Sequence, residues 1–164
     1  MEIMETAAQV AARHPVEGRL QARSVLRHGE KPQGLPCKDQ KDYDQTVTQQ
    51  VKTWQAEGFH TIALITKTAA DAAKLYRAMG KDVGAHLFKE GDLHYEGGVL
   101  ILPASLAKGL EFDCVIVCGA DAASWPDDAF LSRVMYVLVT RPLHRLAAAW
   151  VGERTALLPD GALA

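Results

Sequence analysis

Residues 99–118 read VLILPASLAKGLEFDCVIVC. This stretch holds two short apolar runs, Val99–Leu102 and Cys114–Cys118, with a polar, glycine-containing segment between them. Neither run alternates polar with apolar, so each is expected to be a strand covered on both faces. Thr61–Thr66 (TIALIT) reads the same way, and Leu146–Val151 is a weaker strand. A two-residue period cannot place such strands in an antiparallel sheet with one wet face. Helices must cover both sides.

Helical spacing appears where those helices are needed. Residues 1–13 put Ile3, Met4, Ala7, Ala8, Val10 and Ala11 largely on one side, and Pro15 and Gly18 stop the run. Residues 43–57 place Val47, Val51 and Trp54 at three-to-four spacing, with Gly58 positioned to end that helix. Thr68 is placed to cap an alanine-rich helix over 69–79, closed by Gly80. Residues 129–141 form the last helix, which Pro142 should stop. Ser24–Arg27 and Val83–Phe88 are weaker strand candidates. Residues 28–42 and 90–98, rich in glycine, proline or charge, are expected to be loops. Alternating strands and helices predict an α/β sandwich with a parallel or mostly parallel sheet.

The chain has 164 residues, 48% of them hydrophobic and 23% charged, which fits one domain with a real core. We divide it into a lead-in over 1–42, a core over 43–158 and a tail over 159–164, expected to be frayed. The net charge of −2 argues against a domain that grips duplex nucleic acid by bulk positive charge, so any such contact must be local or shared. Three cysteines are too few and too odd a set for a disulfide framework. Cys114 and Cys118 lie ~13 Å apart on a straight strand and read as small core residues. The six histidines have no ligand spacing, so no metal site is expected. No segment reads as a signal peptide or a membrane span, and the expected location is the cytoplasm.

Ligands in open α/β sheets usually sit beyond the carboxyl ends of strands. The segments searched first are therefore 103–113, after a strand, and 140–141, after the last helix. ASLAKGLEFDCVIV (104–117) resembles motif V of the superfamily 1 DNA helicases related to UvrD, Rep and PcrA. VMYVLVTRPLHRL (134–146) resembles motif VI, with Tyr136, Val137, Thr140 and Arg141 at its core and His144 and Arg145 behind. IALITKTAADAAKLY (62–76) resembles a weaker motif IV. Residues 2–7 and 27–32 resemble the helix after the family's Y-R-S-T segment and its lead-in to the second motor domain.

The resemblance implies a second RecA-like motor domain, a three-layer α/β sandwich. ATP and Mg2+ would lie between it and a first RecA-like domain, with neither held tightly by this chain alone. It implies that Arg141 reaches the γ-phosphate, that Glu111 accepts from the ribose, and that Gly109 lets backbone approach the nucleotide or the strand. Lys67 is the nearest basic residue for the motif IV role of contacting the γ-phosphate. Ser105, Lys108 and Thr140 are the implied contacts to single-stranded DNA. A guanidinium suits the Arg141 role because it is always charged and offers paired planar donors.

Departures from the family are visible. Pro103 and Ser105 stand where Thr-x-His is common, and Lys67 and Lys74 stand where motif IV carries arginines. The short interval between the motif IV and motif V segments resembles the compact branch without the large insertion, which includes RNA-polymerase-associated helicase-like proteins and helicase IV. The sequence has no G-x-x-x-x-G-K-[ST] phosphate loop and no Asp-Glu pair after an apolar strand. The chain is therefore expected to be a piece of a longer protein and not to hydrolyse ATP alone. An alternative stays open: a non-catalytic helicase-like module that binds RNA polymerase or another protein. Residue by residue, Arg141 can equally be a helix C-terminal cation, and Glu111 a solvated charge. Trp125 is either a base-stacking platform or a packed loop residue.

Overall fold

The structure is a computed structural model that describes residues 2–13, 31–92, 95, 97–158 and 163. The expected strand at Ser24–Arg27 and almost all of the tail lie outside them. The elements are α1 (Glu2–Arg13), β1 (Gln33–Cys37), α2 (Gln40–Ala56), β2 (Thr61–Thr66), α3 (Ala69–Leu75), β3 (His86–Leu87), β4 (Gly98–Pro103), β5 (Phe112–Cys118), α4 (Ala129–Val139) and β6 (Pro142–Val151). The strands form one six-stranded sheet in the order β1-β6-β5-β2-β4-β3, and every pairing is parallel.

Alternate residues of the central strands feed two cores. Ala63, Ile65, Leu100, Leu102, Val115 and Val117 pack with Ile3, Ala7 and Val10 of α1 and Met135, Leu138 and Val139 of α4. Ile62, Leu64, Val99, Ile101, Cys114 and Ile116 pack with Val47, Val51 and Trp54 of α2 and Ala72 and Leu75 of α3. Continuous apolar runs are the sequence of a sheet sandwiched this way. Capping starts the helices: Asp39, Thr68 and Asp128 each accept from the backbone N–H three residues on.

Several elements differ from expectation. β1 falls where glycine and proline in QGLPC predict a loop. It pairs only with β6, and an edge strand tolerates the missing N–H of Pro36. β1 joins the sheet and α1 lines a core cluster, so the described parts of the lead-in belong to the sandwich. The 42/43 division falls inside α2. The helix begun by α3 does not stop at Gly80; it passes through a π turn at Tyr76–Gly80 and a 3-10 turn at Lys81–Val83, ending at Gly84 with φ 67. Only His86–Leu87 of the expected strand at 83–88 pairs. β6 starts four residues earlier than expected, directly after Arg141.

Cys37, Cys114 and Cys118 are buried and free. Burial pushes the thiols of Cys114 and Cys118 up to about 12. Unfolding returns them to the ordinary thiol range, so their contribution to stability is complete below about pH 8.5 and falls as the pH rises toward 12. The expected result is a melting temperature that declines above about pH 9, while Cys→Ser variants at these positions flatten the decline between about pH 9 and 10 and keep the part above about pH 10 that the buried Tyr43 and half-buried Tyr95 hydroxyls cause. Thermal melts across pH 7–11 check it. Among the described residues no helix is long and apolar enough to cross a membrane.

Candidate functional site

In a parallel sheet all strands begin at one end, so a residue just before any strand lies at the amino end. Arg141 immediately precedes β6 and Glu111 immediately precedes β5. These two therefore lie at the edge opposite to the carboxyl ends where ligands are expected. The segment after β4 crosses back over the sheet before β5 begins, and α4 returns the chain to the same edge before β6. The two residues are brought together: the Phe112 N–H donates to the Arg141 carbonyl at 3.2 Å, and Arg141 Nη1 donates to the Leu110 carbonyl at 3.2 Å. Glu111 is exposed and Arg141 half-buried.

The guanidinium is held on several sides. Nε donates to the Val137 carbonyl at 3.0 Å, and Nη2 donates to Thr140 Oγ1 at 3.2 Å. Thr140 is the C-cap of α4, and its hydroxyl donates to the Val137 carbonyl at 2.9 Å. Arg141 thus does act as a cation at a helix C-terminus. It also joins that terminus to the loop carrying Gly109, Leu110 and Glu111. Gly109 has φ +82 and open space where a side chain would begin, so the turn needs its conformational freedom. Ser105, in the 3-10 turn after β4, and Lys108 are exposed.

Lys67 does not join this group. It follows β2 at the carboxyl end, six residues of strand away from the amino edge. That is ~20 Å, so Lys67 and Arg141 cannot hold one phosphate. Lys67 Nζ instead donates to the Ser124 carbonyl and lies 5.8 Å from the Trp125 ring centroid. It lines a cavity of about 200 Å³ with Thr66, Lys74, Gly119, Asp121 and Ser124. This crevice opens between β2 and β5, whose following helices pass to opposite faces, the position where doubly wound sheets commonly bind ligands. Its lysines are balanced by Asp44, Asp71 and Asp121, so it has no clear preference for an anion. Trp125 is fully buried, which makes it a packed loop residue and not a stacking platform.

The residue sequence reasoning passed over is Asp113. Its Oδ2 accepts from the His60 and Thr61 N–H groups, both at 3.2 Å, and its own N–H donates to Thr61 Oγ1 at 2.7 Å. It ties the start of β5 to the start of β2 beside the Arg141–Glu111 edge. His144, stacked on Phe59 with centroids 5.9 Å apart, brings Nε2 within 3.9 Å of Asp113 Oδ1. An acidic residue at the head of an otherwise apolar strand was the available signal. Among the described residues no cluster of His, Cys, Asp or Glu could hold a metal.

This architecture defines an α/β, RecA-like three-layer fold. It is similar to a solved structure from Lactobacillus plantarum WCFS1 described as the C-terminal domain of a possible DNA helicase. The TM-score is 0.79 at 24% identity, covering 97% of this chain and 89% of that one. The C-terminal domain of the DEAD-box protein Dbp5 matches with TM-score 0.48 and 16% identity over 78% of each chain. An arterivirus helicase, nonstructural protein 10, solved with DNA, matches with TM-score 0.49 and 11% identity over 98% of this chain and 34% of that one. No protein-family model matches the chain, and no curated protein matches it significantly.

Proposed function

We propose that this chain is the C-terminal motor domain of an ATP-dependent DNA helicase or translocase of the UvrD-like superfamily 1 type. It supplies one wall of a nucleotide site whose other wall belongs to a first RecA-like domain. The observation that carries the reading is the shared position of Arg141 and Glu111 at the amino edge. A half-buried guanidinium and an exposed carboxylate sit on touching loops there.

Three of the guanidinium's five N–H donors are engaged by Val137, Leu110 and Thr140, which leaves two for an oxyanion. Arg141 meets the γ-phosphate and spreads its charge as the terminal bond breaks. Glu111 accepts from the ribose hydroxyls. ATP, with Mg2+ from the first domain's side, supplies the phosphoryl group to be cleaved; this chain orients it. Ser105 and Lys108, exposed on the loop that begins at the opposite edge, contact single-strand phosphates. One loop then has a nucleotide end and a strand end. Lys67 has no part in the nucleotide site.

The test is photolabelling of the full-length protein with an ATP analogue carrying its reactive group on the γ-phosphate. Label is expected within 110–113 and 141–145. Label confined to the crevice around Lys67 and Ser124 would overturn the reading.

A further inference from the structure

We infer that Thr140 is a positioning residue for the Arg141 guanidinium, and not a strand contact. The inference rests on the proposed motor role only for what the guanidinium is positioned to do; the positioning itself is a property of this chain. A threonine hydroxyl has one donor and two acceptor sites. The Thr140 proton is committed to the Val137 carbonyl at 2.9 Å, so the oxygen faces Arg141 as an acceptor, at 3.2 Å from Nη2. The same Val137 carbonyl accepts from Arg141 Nε at 3.0 Å. Nε and the adjacent Nη2 form one planar fork. Its two acceptors, a helix-end carbonyl and a hydroxyl bonded to that carbonyl, lie side by side at the close of α4.

The guanidinium is therefore fixed in orientation as well as in place. Its other side, Nη1, bonds the Leu110 carbonyl at 3.2 Å, between Gly109 and Glu111. Without the hydroxyl, Nη2 loses its acceptor, and the plane is held only by the single bonds at Nε and Nη1. Pro142 locks the backbone immediately after Arg141, so little of the orientation can be recovered from the main chain. A residue in this role acts through the arginine and needs no contact with substrate.

The first experiment uses the 164-residue chain. Nitrogen-15 NMR at low temperature follows water exchange of the Arg141 Nη2 protons, assigned by their loss in Arg141→Lys. Thr140→Val is expected to speed exchange about tenfold, roughly the equilibrium factor of one hydrogen bond. Thr140→Ser, which keeps the oxygen, should stay within about twofold of wild type. Unchanged exchange in the valine variant overturns the inference. If the valine variant does not fold, Thr140→Ala and the serine variant carry the same comparison.

The second experiment uses the full-length protein. Thr140→Val is expected to lower kcat for ATP hydrolysis about tenfold while KM for ATP moves less than about twofold, with rescue by serine. A loss of single-strand affinity at unchanged kcat would instead make Thr140 a strand contact and overturn the inference. Absence of ATPase in wild type would count against the motor reading alone, because the exchange measurement still decides the positioning.

Discussion

Replacing Arg141 with alanine is expected to lower strand-stimulated ATP hydrolysis by the full-length protein about 10³-fold, a rise in barrier of ~4 kcal/mol. On the proposed reading the effect is large because the guanidinium would act on charge that develops only in the transition state. The loss therefore falls on kcat, while ATP binding through the other wall changes little. Arg141→Lys should recover only a small part, since an ammonium cannot keep both the Val137–Thr140 fork and a second pair of donors for phosphate. Lys67→Ala is the internal control: its side chain lies at the other end of the sheet and should leave kcat nearly unchanged. Circular dichroism separates these outcomes from unfolding. Arg141 does cap α4 and tie down Leu110, and losing those contacts should cost ~1–2 kcal/mol, not the fold.

Trp125→Ala is expected to have the largest effect on stability, ~3–5 kcal/mol. The ring is fully buried in the core shared by α1, α4 and the sheet, and the Trp125 carbonyl accepts from the buried Thr155 hydroxyl. Truncation leaves a hole that the fixed strands around it cannot close. In a domain of this size the loss should lower the melting temperature by ~6–20 °C. A residue that stacked a base would show the opposite pattern, with a normal melt and weakened single-strand binding. Thermal denaturation and strand titration of the same variant distinguish the two.

The sandwich was legible because four of the strands are buried on both faces, and that burial writes continuous apolar runs such as Ile62–Ile65 and Val115–Val117. β1 was not legible because an edge strand needs neither continuous apolarity nor every N–H, and Pro36 hides it. The π turn at Tyr76–Gly80 was also hidden. A glycine reads as a stop, whereas Gly80 lies under the Tyr76 ring, where an added methyl would collide with that ring.

The site divides along the same line. Arg141 and Glu111 stand out by residue type, but which edge they occupy depends on where β5 and β6 begin. β6 had been expected to begin later than it does. The resemblance puts Lys67 with them, but it follows β2 whereas they precede β5 and β6, and residues following strands and residues preceding strands face opposite ends of the sheet. The partners that fix Arg141 could not be read at all, since two of them are the backbone carbonyls of Val137 and Leu110. Thr140 was visible as a residue, but its role depends on a hydroxyl whose proton is already committed to a helix carbonyl.

The most direct measurement is a structure of the full-length protein trapped with ADP and tetrafluoroaluminate, which mimics the phosphoryl group in flight. An Arg141 nitrogen is expected ~3 Å from a fluoride, with the Glu111 carboxylate at the ribose. Nucleotide seated at the Lys67–Ser124 crevice, or bound with Arg141 pointing away from the fluoride, would contradict it.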